Sequence, residues 1–219
     1  MPGERRFQTW LDERLGLASF LASIRATPAV PRWVDWRYCI GGIAFLALLL
    51  QTASGLYLAC YYQPNPQAAW KSIEFIEGNL PLGHFLRSMH RWGACLAFLL
   101  VLLHMLRVIH HGSYRPPREL NWLSGIGLLL LTGLFAISGY LLPWDLRAYW
   151  ITLNMANWLQ SLPILSDSIA WFLAGDTLWG HVPVSRFFVL HAIVLPILTA
   201  VLLFFHFAMV RRLGVRKPE

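Results

Sequence analysis

Four histidines lie inside long apolar stretches: His90, His104, His191 and His206. An ionisable side chain in hydrocarbon surroundings is costly and points to function. His90 and His104 are 14 residues apart, and His191 and His206 are 15 apart. At a rise of about 1.5 Å per residue these steps are roughly 21 and 22 Å, close to four turns, so both histidines of a helix stay near one face. On two helices that run in the same direction, His90 can face His191 and His104 can face His206. Two imidazoles facing across a gap make a bis-histidine haem site, and a helix-bundle core can hold the macrocycle. Two such levels form an electron path across a bilayer. A single histidine would as readily hydrogen-bond a neighbouring helix or serve a proton relay. Four with matched spacing favour haem.

The glycines repeat the same interval. Gly41 and Gly55 are 14 residues apart, and so are Gly125 and Gly139. A porphyrin wedged between two helices needs the other two to come close, and only glycine removes the Cβ that would strike the ring edge. Ordinary small-residue helix packing is the alternative, and the shared interval favours haem contact. Arg87 and Arg91 flank His90 and suit haem propionates through charge-assisted hydrogen bonds. Interfacial anchoring is the simpler role for them. His84, His110, His111 and His181 fall at helix ends or in loops and read as interfacial or solvated.

The elements that must position these residues are membrane spans. Of 219 residues, 57% are hydrophobic and 13% charged, and the mean hydropathy is +0.50. A soluble domain carries about twice that charge, so an ordinary cytosolic globule and a disordered chain are both excluded. Four stretches reach the roughly 20 apolar residues that a bilayer requires. They run over about Tyr38–Tyr61, Leu86–Ile109, Trp122–Leu142 and Phe187–Val210. The fold class is therefore all-α: a single domain over 1–219, built as a four-transmembrane-helix bundle over 38–212 that encloses two b haems. Residues 1–37 form an N-terminal segment in which Thr9–Leu15 reads as an amphipathic surface helix, and Pro28 and Pro31 break the chain before the first span. No apolar core of signal length precedes them.

Thirteen of the 18 Lys and Arg fall in the N-terminal segment, the link between the second and third spans, and the tail. Those parts face the negative, cytoplasm-like side, and the second and fourth spans run in the same direction. The net charge of +7 thus marks topology, not a nucleic-acid partner. The link from Pro143 to Arg186 holds Trp144, Trp150, Trp158, Trp171 and Trp179, which suits interfacial helices that cover something. Cys39, Cys60 and Cys95 are too few for a disulfide scaffold.

Several long motifs make the chain resemble the cytochrome b6 family, the short four-helix form of the cytochrome b of quinol-oxidising complexes. They are Trp10-Leu11-Asp12-Glu13-Arg14-Leu15, Tyr38-Cys39-Ile40-Gly41-Gly42, Arg87-Ser88-Met89-His90-Arg91-Trp92, Arg115-Pro116-Pro117-Arg118-Glu119-Leu120, Gly139-Tyr140-Leu141-Leu142-Pro143-Trp144-Asp145 and Arg186-Phe187. The 15-residue step from His191 to His206 matches the b6 type, where mitochondrial-type cytochrome b is one residue shorter.

The resemblance implies a Q-cycle. Quinol is oxidised on the positive side, one electron goes to a Rieske iron–sulfur protein and a c-type cytochrome, and the other crosses through two b haems to a quinone on the negative side. It also implies a positive-side quinone pocket shaped by Tyr140, Pro143 and Trp144, completed by a separate subunit-IV-like chain carrying Pro-Glu-Trp-Tyr, a motif absent here. Cys39 matches the cysteine that holds an extra c-type haem by one thioether bond; a small buried thiol is the alternative. Arg211 matches the arginine near the negative-side quinone and that extra haem. Cys60 and Cys95 have no counterpart and read as packing residues. A homodimeric complex in a bacterial inner membrane, with both termini cytoplasmic, is the expected setting. The chain departs from the family at Ala22-Ser23-Ile24-Arg25, which lacks a carboxylate; Asp35 or a partner must supply that proton path. It departs again at Ser166 and at Asn154-Met155-Ala156-Asn157-Trp158.

The competing reading is a dihaem anchor that links a quinone pool to a peripheral dehydrogenase or reductase without splitting electron pairs. A cofactor-free structural or transport subunit would show no visible absorption. The histidine pairing predicts that His104→Ala removes one of two b haems and spares the other. A pyridine haemochrome spectrum that still counted two would show the pairing to be wrong.

Overall fold

Backbone N–H and C=O groups inside hydrocarbon find no water, so an apolar span must satisfy them within its own helix. A computed structural model of the chain describes residues 36–161 and 182–214. A 3-10 turn, Trp36–Cys39, leads into α1 (Ile40–Ala59). Then come α2 (Ala69–Asn79), α3 (Gly83–His110), α4 (Glu119–Leu141) and α5 (Leu146–Gln160). The final helical run is α6 (Val182–Val189), a π turn (Leu190–Val194) and α7 (Leu195–Leu213). Among the described residues, four helices are long and apolar enough to cross a membrane: α1, α3, α4 and the run Val184–Leu213. They extend a few residues past the apolar stretches at several ends, because helical hydrogen bonding continues into the polar interface.

Thr9–Leu15, Pro28, Pro31, Asp35, Ser166, Trp171, Trp179, His181, Arg216 and Lys217 lie outside the described residues. The described residues divide into two compact units. One comprises 36–45, 98–132 and 198–214; the other comprises 46–97, 133–161 and 182–197.

In the first unit, α4 begins with Glu119, whose charge suits a helix N-terminus. The preceding Arg118 donates to the carbonyls of Leu213 and Gly214 at 2.7 and 2.8 Å. Its guanidinium thereby satisfies acceptors that the end of α7 leaves without helical partners. Gly214 has φ +65° and donates to Val210 at 3.0 Å, a left-handed stop that glycine permits.

In the second unit, α2 was not anticipated by span counting. Its signal is present on a smaller scale: Ala69, Ser72, Ile73 and Ile76 are its buried residues, at the i, i+3, i+4, i+7 positions of one face. A Cβ at Gly83 would strike the carbonyl of Ile76, so glycine lets α3 start against α2. Leu141, Ala148 and Phe187 form a buried cluster with Leu142, Trp144 and Met155 packed against it. Asp145 Oδ1 accepts from the Ala148 N–H at 2.8 Å and starts α5.

The π turn contains His191. The Leu195 N–H reaches back five residues to the Leu190 carbonyl. A π turn accommodates one extra residue without adding a turn. A 15-residue step interrupted this way keeps nearly the rotational phase of a 14-residue step in plain α-helix.

Tyr62, just beyond α1, donates its hydroxyl proton to the Leu142 carbonyl, and its ring stacks on Phe188 with centroids 5.5 Å apart. Burial pushes the pKa of this hydroxyl up, so it stays a donor. Tyr62→Phe should cost about 1–2 kcal/mol, because it leaves the Leu142 carbonyl without that partner. Thermal loss of the helical circular dichroism signal of the solubilised protein measures this.

Candidate functional site

A buried imidazole presents two nitrogens with different needs: one carries a proton that requires an acceptor, and the other carries a lone pair. In the second unit, His90 on α3 and His191 in the π turn face each other, with ring centroids 6.2 Å apart and planes 76° apart. Ser54 Oγ lies 2.9 Å from His90 Nδ1, and Ser138 Oγ lies 3.0 Å from His191 Nδ1. Both hydroxyls already donate their single proton to their own helices. Ser54 bonds the Leu50 carbonyl at 2.7 Å, and Ser138 bonds the Leu134 carbonyl at 2.6 Å. Each serine oxygen can therefore only accept, so Nδ1 carries the ring proton and Nε2 keeps a free lone pair.

The first unit repeats the arrangement. His104 on α3 and His206 on α7 have ring centroids 6.5 Å apart and planes 77° apart. Ser124 Oγ donates to the Asn121 carbonyl at 2.8 Å and accepts from His206 Nδ1 at 2.9 Å. His104 has no such hydroxyl among the described residues. The residue before Gly41 is Ile40, where Ser54, Ser124 and Ser138 each precede a glycine.

The spacing of the rings can be tested against a metal. A metal–imidazole bond is about 2 Å, and a ring centroid lies about 1 Å behind its nitrogen, so two imidazoles on opposite sides of one ion have centroids about 6 Å apart. Both pairs meet that requirement. Among the described residues no group of three or more His, Cys, Asp or Glu gathers elsewhere to hold a metal ion. The donor set is two imidazoles per site, which suits haem iron and not a bare tetrahedral ion.

The glycines back the rings themselves. A Cβ on Gly139 would come within 2.7 Å of His191 Cε1, on Gly41 within 2.8 Å of His104 Cε1, and on Gly55 within 3.0 Å of His90 Cε1. Gly125 is looser, at 3.6 Å from His206 Cε1. Sequence reasoning assigned these glycines to a porphyrin edge. The close approach that the structure records is to the histidine rings. The serines were missed, although the dipeptides Ser54-Gly55, Ser124-Gly125 and Ser138-Gly139 stand in the sequence as a signal.

The remaining candidates are more scattered. Arg87 is engaged by the Glu77 carboxylate of α2, which also has His84 Nδ1 at 3.7 Å. Arg91 is exposed, as is Arg211 at the end of α7. Tyr140 is exposed, Pro143 is half-buried, and Trp144 takes the left-handed φ of 51° at the α4–α5 junction, a strained conformation for a bulky side chain. Cys39 is exposed at the end of the 3-10 turn. Beside it, the Arg107 guanidinium lies 3.7 Å over the Tyr38 ring. Cys60 and Cys95 are also exposed, which corrects their reading as packing residues. On spans with a lipid-facing exterior, apolar surroundings do not require burial in protein.

The cytochrome b/b6/petB family profile matches residues 25–214. The chain belongs to the cytochrome b/b6 family. Cytochrome b6 of Heliobacterium mobile is 41% identical over 210 residues, covering 95% of this chain and 99% of that protein. Cytochrome b6 of Gracilaria tenuistipitata var. liui is 39% identical over 209 residues, covering 95% and 97%. A chain of a hyperthermophilic respiratory Complex III matches with a TM-score of 0.75 at 30% identity, covering 96% of this chain and 56% of that one. This cytochrome b/b6 chain is thus an all-helical, multi-pass integral membrane protein of a family that carries b haems and forms the core of quinol oxidoreductases.

The glycine distances set an order of tolerance. Gly139→Ala and Gly41→Ala force a ring or helix to shift and should cost about 1–3 kcal/mol by overpacking. Gly55→Ala should be milder, and Gly125→Ala should keep full b-haem content. Haem per chain in the four purified variants checks the order.

Proposed function

We propose that this chain is the electron-carrying core subunit of a Rieske/cytochrome b quinol oxidoreductase that runs a Q-cycle and translocates protons. His90 with His191, and His104 with His206, would hold the irons of two b haems through their imidazoles. The observation that carries this reading is the pair of facing imidazoles, at 6.2 and 6.5 Å, repeated on the same two helical runs. Bound haem supplies reversible one-electron chemistry, and two such sites make a route across the membrane.

The chain's own residues prepare the sites. Ser54, Ser138 and Ser124 accept the Nδ1 protons and leave Nε2 free on His90, His191 and His206. Gly41, Gly55 and Gly139 let the backbones of α1 and α4 approach the rings. Arg91 is exposed and can meet haem propionates, and Arg87 can join it by exchanging its bond to Glu77. Tyr140, Pro143 and Trp144 form this chain's share of a positive-side quinone pocket, and the strained Trp144 backbone is consistent with a functional wall. Arg211 serves the negative-side quinone. Cys39 attaches a c-type haem by one thioether, and its exposure leaves the thiol accessible for that bond. The partners are a subunit-IV-like chain with Pro-Glu-Trp-Tyr, a Rieske protein and a c-type cytochrome, in a homodimeric complex. The setting is a bacterial inner membrane with both termini cytoplasmic. The family relationship favours this reading over a dihaem anchor.

A haem count with a covalency test decides it. Two b haems by pyridine haemochrome and a haem-stained band of this chain on a denaturing gel are expected. In Cys39→Ala the stain disappears while both b haems remain. Absence of b haem from the folded complex would overturn the ligand assignment. Two b haems with an unstained wild-type band would remove the role of Cys39 alone.

A further inference from the structure

The two histidine pairs differ in how their rings are held. In the His90/His191 pair, both Nδ1 protons go to a serine oxygen, at 2.9 and 3.0 Å. In the His104/His206 pair, only His206 has this partner among the described residues, Ser124 at 2.9 Å. Ile40 stands where the fourth serine would be. We infer that Ser54, Ser138 and Ser124 are positioning residues, each of which lowers the reduction potential of the haem held by the ring it touches.

The inference rests on the proposed haem ligation and deepens it. An imidazole whose Nδ1 proton is drawn toward an acceptor gains imidazolate character and becomes a stronger donor through Nε2. A stronger donor stabilises ferric over ferrous iron and lowers the potential; hydrogen bonding to the ligand is one of the levers a protein has over haem. The three serines are well made for this. Each is buried, at 2, 7 and 3% exposure for Ser54, Ser124 and Ser138, so water does not replace it. Each has committed its own proton to a carbonyl of its helix, so it cannot turn round and donate. Removing a serine takes away an acceptor at Nδ1 and leaves the Nε2 lone pair of the same ring in place, so the haem should stay bound.

The test is spectroelectrochemistry on the purified complex, with the two b-haem components assigned from His90→Ala and His206→Ala. Ser54→Ala and Ser138→Ala should each raise only the component that His90→Ala removes. The expected change is about tenfold in its reduction equilibrium, or about 59 mV for one electron. Ser124→Ala should raise only the component that His206→Ala removes. Ser→Thr at each position should restore the wild-type value, which a purely structural role would not do in step with the potential. If an alanine variant loses its haem, Ser→Cys takes its place. A thiol is a weak acceptor of similar size, and it should raise the same component. Potentials that stay unmoved, or move together, with both haems retained would overturn the inference and leave the ligand assignment standing. A wild-type complex without b haem would overturn both.

Discussion

An imidazole buried between apolar helices can be a metal ligand only if its ring proton is already accounted for. Three of the four rings meet this condition in the same way. A serine that has donated to its own helix accepts from Nδ1, and the tautomer that remains keeps its lone pair on Nε2. The division of labour among the helices follows. α3 and the last helical run supply the rings, and α1 and α4 supply the surfaces behind them. Those surfaces need a small residue for approach and a hydroxyl for the proton, which is why Ser-Gly pairs recur there. His104 is the exception, backed by Ile40-Gly41 and held by steric contact alone among the described residues.

The same constraint explains the distribution of polarity. Ser54, Ser124, Thr132, Ser138 and Thr199 are buried, while Leu46, Leu56, Leu96, Leu130, Ile197 and Phe204 are exposed. A soluble protein would reverse this pattern. With lipid outside, leucine costs nothing at the surface and an unpaired hydroxyl costs much. Ser54, Ser124, Thr132 and Ser138 each donate to a carbonyl of their own helix, as Thr132 does to Leu128 at 2.7 Å. Polar groups that satisfy one another from helix to helix also specify which faces meet.

Much of this was legible in the residues. The four spans follow from apolar length, and the histidine intervals predicted which rings face each other; the glycine intervals were read against a porphyrin edge, and the structure brings those glycines to the rings. What escaped was whatever depends on one small side chain or one local hydrogen bond. A serine in an apolar run looks like a generic small residue until its distance to Nδ1 is known. α2 is only 11 residues long and is no candidate by span length, though its buried face has helical spacing. Arg87 was assigned from its position beside His90, and no pattern along the chain announces that Glu77, ten residues earlier, reaches it. Cys60 and Cys95, read as packing residues for want of a counterpart, are exposed, and nothing in their sequence neighbours separates an exposed cysteine from a packed one.

The π turn at Leu190–Val194 gives the unequal intervals, 14 residues on one helix and 15 on the other, a common geometry. It works as a slack link, taking up one residue beside a ring that cannot afford to rotate. Chain length between the two histidines is thereby uncoupled from the direction in which they point. A lineage could gain or lose a residue in this segment and keep both rings facing their partners.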